Sequence, residues 1–146
     1  HCYLNIPDTS GRDSLFQAES RRCKEVIDAL EEDDQGYSLC LFDELFSGTN
    51  PEEAAASAFA FIEYLSKKSN CRFLLTTHFY DVCLKIDSNK TILNSHMDAN
   101  KENEKIKYFY KLKKGISNLK GGLSILKDLN YPKHLIDNAK SFSESV

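Results

Sequence analysis

The stretch Ser38–Asn50, SLCLFDELFSGTN, places an apolar run directly before two adjacent carboxylates and a turn. The run Leu39–Phe42 is uninterrupted, which is typical of a strand covered on both faces in a parallel sheet. It stops at Asp43 and Glu44. Because an ionised carboxylate that is buried without a partner is strongly destabilising, this pair is either solvated or part of a functional site.

A helix is predicted directly after the turn. Asn50 suits the N-cap and Pro51 the first helical position, while Glu52 and Glu53 complement the positive end of the helix dipole. We expect this helix to run to about Lys67 and to connect the first strand to a second apolar run.

That second run, RFLLTTH, ends at His78 and completes a unit of strand, helix and strand. Such a crossover makes the strands parallel, so Asp43 and Glu44 lie at the same sheet edge as Thr76, Thr77 and His78. Ligands of open α/β sheets bind at this edge. In P-loop nucleotidases an acid that ends a buried strand holds Mg²⁺, and a neighbouring acid orients or deprotonates the attacking water. The spacing also allows an ordinary solvated strand end and a histidine without a catalytic role.

The remaining segments predict an α/β order without internal repeats. A first helix begins at the capping box of Ser14 and Gln17 and runs from about Leu15 to Glu32. Asn130 is predicted as a left-handed stop between the last two helices. The other predicted elements are a strand in CYLNI, a short helix in FYDVCLKI, strands in KTILNSHMD and KIKYFYKLKKG, and helices in GGLSILKDL and PKHLIDNAKSF.

Composition limits the class of protein. The chain has 146 residues, of which 41% are hydrophobic and 28% charged, the size and balance of one ordinary globular domain. Neither a membrane span nor a secretory signal is recognisable, so we expect a soluble intracellular protein, cytoplasmic or nuclear, without a membrane partner. Five cysteines without a CxxC pair suit buried free thiols rather than a zinc site.

Charge gives no chain-wide signal for nucleic-acid binding, because the net charge is −3. A local excess of lysines alternates with apolar residues in a period-2 pattern, which favours a solvated strand face over a nucleic-acid interface. These lysines are Lys101, Lys105, Lys107, Lys111, Lys113, Lys114 and Lys120.

The stretch LFDELFSGTNPEEAAASAFAFIEYL and the following RFLLTTHFYDV resemble the Walker B, D-loop and switch-histidine segments of the MutS family of mismatch-recognition ATPases, within the ABC ATPase class. SGRDSLFQAESRRCKEVI is similar to the family's signature loop and the helix after it. YFYKLKKGISNLKGGLSILKDLNYPKHLIDNAK resembles the terminal strand, turn and helix pair. The segments occur in the family's order and cover nearly the whole chain.

The resemblance implies a P-loop NTPase-like, ABC-type fold, in which helices flank a parallel or mixed sheet and a helix pair closes the chain. Residues 1–146 would form the C-terminal portion of a MutS-like ATPase domain, with a terminal helical segment over residues 119–146. No GxxxxGK[ST] phosphate-binding loop occurs in the chain. In the family this loop and the DNA-reading domains lie upstream, so the fold would be incomplete at its N-terminus.

The resemblance also implies roles for five residues of the sheet edge and the turn. Asp43 would be the Walker B acid, which binds nucleotide through its associated Mg²⁺, and Glu44 the general base that positions the hydrolytic water. His78 would be the catalytic switch residue that senses the γ-phosphate of ATP. Gly48 and Thr49 would form the D-loop, which contributes to the nucleotide site and touches the opposite subunit.

Asp13 and Ser14 would belong to the signature loop, which faces ATP held by a second ATPase subunit in a homo- or heterodimer. The free N–H groups at the start of the helix suit such an anion, although a helix cap alone would also explain Ser14. Two departures stand out. The family usually has serine at the position of Asp13, and Gly-Arg where Phe46 and Ser47 stand here.

The implied function is a part of an ATP-dependent ATPase that recognises DNA mismatches or lesions, with DNA bound by upstream domains. ATP hydrolysis would need the complete domain with its P-loop. Two alternatives stay open, namely an ABC-class ATPase for another DNA transaction and a non-catalytic remnant that dimerises without turning over nucleotide. An intact upstream P-loop would separate the enzymes from the remnant.

Overall fold

The computed structural model describes residues 2–3, 14–32, 36–102, 105–119 and 121–145. The chain divides into two compact units, His1–Ile92 and Leu93–Val146. The first unit contains β1 (Cys2–Tyr3), α1 (Leu15–Glu32), β2 (Ser38–Asp43), α2 (Pro51–Ser66), β3 (Cys71–Thr76) and α3 (Tyr80–Ile86). The second contains β4 (Ser95–Glu102), β5 (Lys105–Lys114), α4 (Gly122–Asp128) and α5 (Lys133–Ser145). The mixed α/β class is therefore as predicted.

A parallel sheet in the order β1-β2-β3 organises the first unit. β2 pairs with β3 in register, from Ser38 opposite Cys71 to Asp43 opposite Thr76. Helix α2 forms the crossover between these two strands. The predicted parallel unit of strand, helix and strand is confirmed, and it brings the last residues of both strands to one edge.

Side-chain caps fix the starts of α1 and α2. The Ser14 N–H donates to Gln17 Oε1 at 2.8 Å, and the Gln17 N–H donates to Ser14 Oγ at 3.3 Å. The Asn50 side chain accepts from the Glu52 N–H at 2.9 Å. Both predicted caps are confirmed, and each typically stabilises its helix by about 1 kcal/mol.

Helices α1 and α2 pack their apolar stripes against one face of the parallel sheet. Their buried residues recur every three or four positions, which places them on one side of each helix. The core cluster contains Cys23, Val26, Leu30, Cys40, Phe42, Ala54, Ala58, Phe61, Leu65 and Cys71, all at most 7% exposed. Within the described ranges, no helix is long and apolar enough to span a membrane.

The opposite face of the sheet differs from the prediction. Burial alternates along β2, where Leu39 is 56% exposed and Leu41 is 37% exposed, and Leu74 of β3 is 68% exposed. Successive side chains of a strand point to opposite faces, and in the first unit α1 and α2 pack on the face that carries Cys40 and Phe42. The expectation of a strand covered on both faces is therefore wrong for the described part of the chain.

The second unit begins with an antiparallel hairpin of β4 and β5. The predicted strand in KTILNSHMD starts only at Ser95. Before it, the Asn89 side chain accepts bonds from the N–H and the hydroxyl of Thr91 and holds Lys90 and Thr91 in a turn. A register irregularity lies between Met97 and Ala99. The lysines of β5 that follow Ile106 are exposed, as predicted for a solvated strand face.

Helices α4 and α5 follow the hairpin, close to their predicted positions. Asn130 lies between them with φ of 58°. This left-handed conformation is the one predicted for Asn130, since asparagine tolerates it better than most residues.

Candidate functional site

The ends of β2 and β3 bring two carboxylate residues and a threonine together. Asp43 lies opposite Thr76 in the sheet, and the Thr76 hydroxyl donates to Asp43 Oδ1 at 2.7 Å. The N–H of Glu44 donates to the Thr76 carbonyl oxygen at 3.1 Å and approaches Thr76 Oγ1 at 3.2 Å. Asp43 and Glu44 are exposed, so neither carboxylate carries the penalty of an unpartnered buried charge.

His78 lies beside this pair. Its Nδ1 is 3.9 Å from Glu44 Oε1, which is beyond hydrogen-bonding distance but within range of an ion pair if the imidazole is protonated. The side chains of His78 and Glu44 are 60% and 52% exposed. Phe79 supports the imidazole, with ring centroids 4.7 Å apart. The predicted convergence of Asp43, Glu44 and His78 at one sheet edge is therefore observed.

The turn after β2 contains two residues in the left-handed region. Glu44 has φ of 48° and Phe46 has φ of 62°. A side chain in this conformation is strained by about 1–2 kcal/mol relative to the right-handed one. Phe46 is 5% exposed, and its ring lies 5.8 Å from that of Phe16 and 6.2 Å from that of Phe61. Aromatic packing therefore holds the strained turn against the core.

Gly48 packs the turn closely against the start of α1. A Cβ atom at Gly48 would lie 2.8 Å from Leu15 Cβ and 2.9 Å from the backbone nitrogen of Phe16. Only glycine permits this approach without a displacement. The predicted D-loop residue Gly48 thus packs on the first turn of the predicted signature helix, whereas Thr49 is half-buried in the same turn.

The two predicted signature residues have different outcomes. Asp13 lies outside the described residues. Ser14 is exposed and its hydroxyl oxygen accepts the Gln17 N–H, so the capping role is observed. Contact between Ser14 and a phosphate stays a prediction.

Glu19 is a residue of this region that the sequence reasoning missed. It is fully buried, and its Oε1 accepts a bond from Ser47 Oγ at 3.3 Å. Its Oε2 has no hydrogen-bond partner within the described part of the chain. Burial, with a further contribution from the Glu19 carboxylate, raises the pKa of the Cys23 thiol to about 12. The available signal was the helical spacing of Glu19 with Cys23, Val26 and Leu30, which puts an acid on the apolar stripe.

Asp43 suits a magnesium ion that keeps most of its own water. In the described ranges, no three His, Cys, Asp or Glu side chains form a cluster that could hold a metal ion. Mg²⁺ commonly binds through one or two carboxylates together with water and substrate phosphates. A single exposed carboxylate with a fixed orientation fits that mode of binding.

Comparison with known proteins identifies the family. A family model described as MutS domain V matches residues 7–146. The DNA mismatch repair protein MutS of Prochlorococcus marinus (strain MIT 9312) is 30% identical over 141 residues, which are 97% of this chain and 15% of that protein. Endonuclease MutS2 of Fusobacterium nucleatum is 33% identical over 129 residues, 88% of this chain and 16% of that protein. DNA mismatch repair protein spellchecker 1 of Drosophila melanogaster is 29% identical over 103 residues, 70% of this chain and 11% of that protein. The chain thus spans only a small part of these relatives, and it belongs to the MutS family through its match to domain V.

Proposed function

We propose that this chain is the C-terminal portion of a P-loop NTPase-like ATPase domain of the ABC class, in a protein that recognises DNA mismatches or lesions with the use of ATP. The observation that carries the proposal is the sheet edge at which Asp43, Glu44 and His78 converge. The names of the relatives, which include DNA mismatch repair proteins, support the role in repair.

Each residue of the edge has a distinct proposed task. Asp43 would hold Mg²⁺ through water, and the bound ion would neutralise charge on the ATP phosphates. Glu44 is 52% exposed, so its carboxylate can reach a water molecule and accept a proton from it. His78, 3.9 Å from Glu44, would orient the carboxylate and the water beside the γ-phosphate.

The turn and the start of α1 form the second part of the proposed site. Ser14, Gly48 and Thr49, with Asp13 next to them in sequence, would face ATP held by a second ATPase subunit. The contact of Gly48 with Leu15 supports this, because it places the two predicted segments side by side. The phosphate cradle and the DNA-binding domains would come from parts of the protein outside this chain.

The test uses the complete protein that carries this chain. Glu44→Gln keeps the shape of the side chain but removes the base, so ATP should still bind while turnover falls by a factor of about 10²–10⁴. Glu53→Gln is the matched control, because Glu53 is an exposed acid in the first turn of α2 and should leave turnover unchanged.

Two further variants separate the remaining roles. Asp43→Asn should raise the Mg²⁺ concentration needed for half-maximal turnover, and His78→Ala should reduce turnover with little change in melting temperature. Turnover at the parent rate in Glu44→Gln would refute the assigned base. A parent protein that dimerises and binds ATP without hydrolysis would support the non-catalytic alternative.

A further inference from the structure

The Thr76 hydroxyl engages both carboxylate residues of the sheet edge. It donates its proton to Asp43 Oδ1 at 2.7 Å, and its oxygen faces the Glu44 N–H at 3.2 Å. A hydroxyl can donate one bond and accept others, so both contacts can exist together. We propose that Thr76 is a positioning residue that holds Asp43 and Glu44 in the geometry needed for metal binding and water activation, an inference that rests on the proposed function.

The contact with Asp43 restricts the carboxylate of that residue. A hydrogen bond to Oδ1 fixes the rotation of the carboxylate plane, and the side chain remains exposed toward the edge of the sheet. Bonds to an ionised acceptor are stronger than bonds between neutral groups. Thr76 thus presents Asp43 to a hydrated cation in one orientation instead of several.

The contact with Glu44 supports a strained residue. Glu44 has φ of 48°, and its N–H is held by both the carbonyl oxygen and the hydroxyl oxygen of Thr76. Loss of the hydroxyl would leave only the backbone bond at 3.1 Å. The direction in which the Glu44 side chain leaves the strand end therefore depends partly on the Thr76 side chain.

The inference can be tested by substitution, because the backbone bond between Glu44 and Thr76 does not depend on the Thr76 side chain. Thr76→Val preserves the β-branched shape and the pairing of β3 with β2, and it replaces the hydroxyl with a methyl group. Thr76→Ser restores a hydroxyl at the same position. Thr77→Val is the matched control. Thr77 Oγ1 accepts from the Phe79 N–H at 3.1 Å, and the structure describes no contact between Thr77 and either carboxylate.

Two measurements on the complete protein need no turnover. The first is Mn²⁺ binding followed by electron paramagnetic resonance, with a non-hydrolysable ATP analogue present. We expect Thr76→Val to weaken Mn²⁺ binding about tenfold, Thr76→Ser to stay within about twofold of the parent, and Thr77→Val to match the parent. The second is hydrogen exchange of the peptide that contains Glu44, which should be faster in Thr76→Val alone.

The two measurements distinguish a failure of the inference from a failure of the proposed function. If Asp43→Asn leaves Mn²⁺ binding unchanged, the metal role of Asp43 is wrong, and the exchange measurement still decides whether Thr76 fixes Glu44. Parental Mn²⁺ binding and parental exchange in Thr76→Val would overturn the inference. Equal effects of Thr76→Val and Thr77→Val would overturn it as well, because a general disturbance of the strand end would then explain both.

Discussion

The substitution Phe46→Gly would relieve backbone strain and remove buried aromatic packing at the same position. Glycine would relieve the left-handed strain at φ of 62°, a gain of about 1–2 kcal/mol. It would also remove a 5% exposed ring from its contacts with Phe16 and Phe61. Truncation of a buried phenylalanine costs about 3–5 kcal/mol, and the added freedom of glycine in the unfolded chain costs about 0.5–1 kcal/mol more.

The packing loss should exceed the strain relief. The balance is a net destabilisation of about 3 kcal/mol. For a unit of this size, that corresponds to a fall in Tm of roughly 10 °C or more. Calorimetry and urea unfolding of the chain would both measure this change.

Tyr110→Gly is the contrasting substitution. Tyr110 is also left-handed, with φ of 54°, but it is 84% exposed. Strain relief should therefore dominate, and the hairpin should be unchanged or more stable by up to about 1 kcal/mol, as judged by hydrogen exchange of its amides. If Phe46→Gly melted at or above the temperature of the parent, the proposed anchoring of the turn by Phe46 would be refuted.

Three further substitutions, with one control in α4, test the packing of the turn and of α1. Gly48→Ala should destabilise the chain by about 1–3 kcal/mol in urea unfolding, since its Cβ would lie 2.8 Å from Leu15 Cβ. Gly122→Ala is the control, because its added methyl would have nothing within 4 Å, and it should be neutral or stabilising. Burial raises the pKa of Cys23 from 9.0 to about 12, so the unfolded chain loses this proton first and stability falls as the pH rises from 9 to 12. Cys23→Ala should remove about 1.4 kcal/mol per pH unit from that alkaline loss, measured as the free energy of unfolding at each pH. Glu19→Gln should raise the Tm, because it removes a fully buried carboxylate with one oxygen lacking a partner among the described residues, and an unchanged Tm would contradict this reasoning.

The sheet edge could be predicted because its causes are local. An apolar run, a capped helix and a second apolar run dictate a parallel crossover, and parallel strands end at one edge. Asp43 therefore had to lie beside Thr76, and Glu44 near His78, as the structure has it. The caps of Ser14 and Asn50 were predictable for the same reason, since each depends on residues within one turn of the helix start.

The features that escaped prediction depend on neighbours distant in sequence. The apolar residues Leu39 and Leu74 suggest a covered face, but a sequence pattern does not report which elements are available to cover it. The left-handed conformation of Phe46 was not predictable from the residue type, because most side chains avoid that region. The family's usual glycine at this position was nevertheless a signal that the backbone turns in a way that glycine favours.

The turn between β2 and α2 connects the two halves of the candidate site mechanically. At one end Asp43 is held to β3 through Thr76, and at the other end Gly48 lies against the first turn of α1. Between them Phe46 is buried, with its ring beside those of Phe16 and Phe61, and close-packed interiors transmit displacements. A displacement of the α1 start should therefore reach the carboxylates through this turn. On the proposed function, nucleotide held by a second subunit against α1 would bias the geometry of Asp43 and Glu44 without touching either residue.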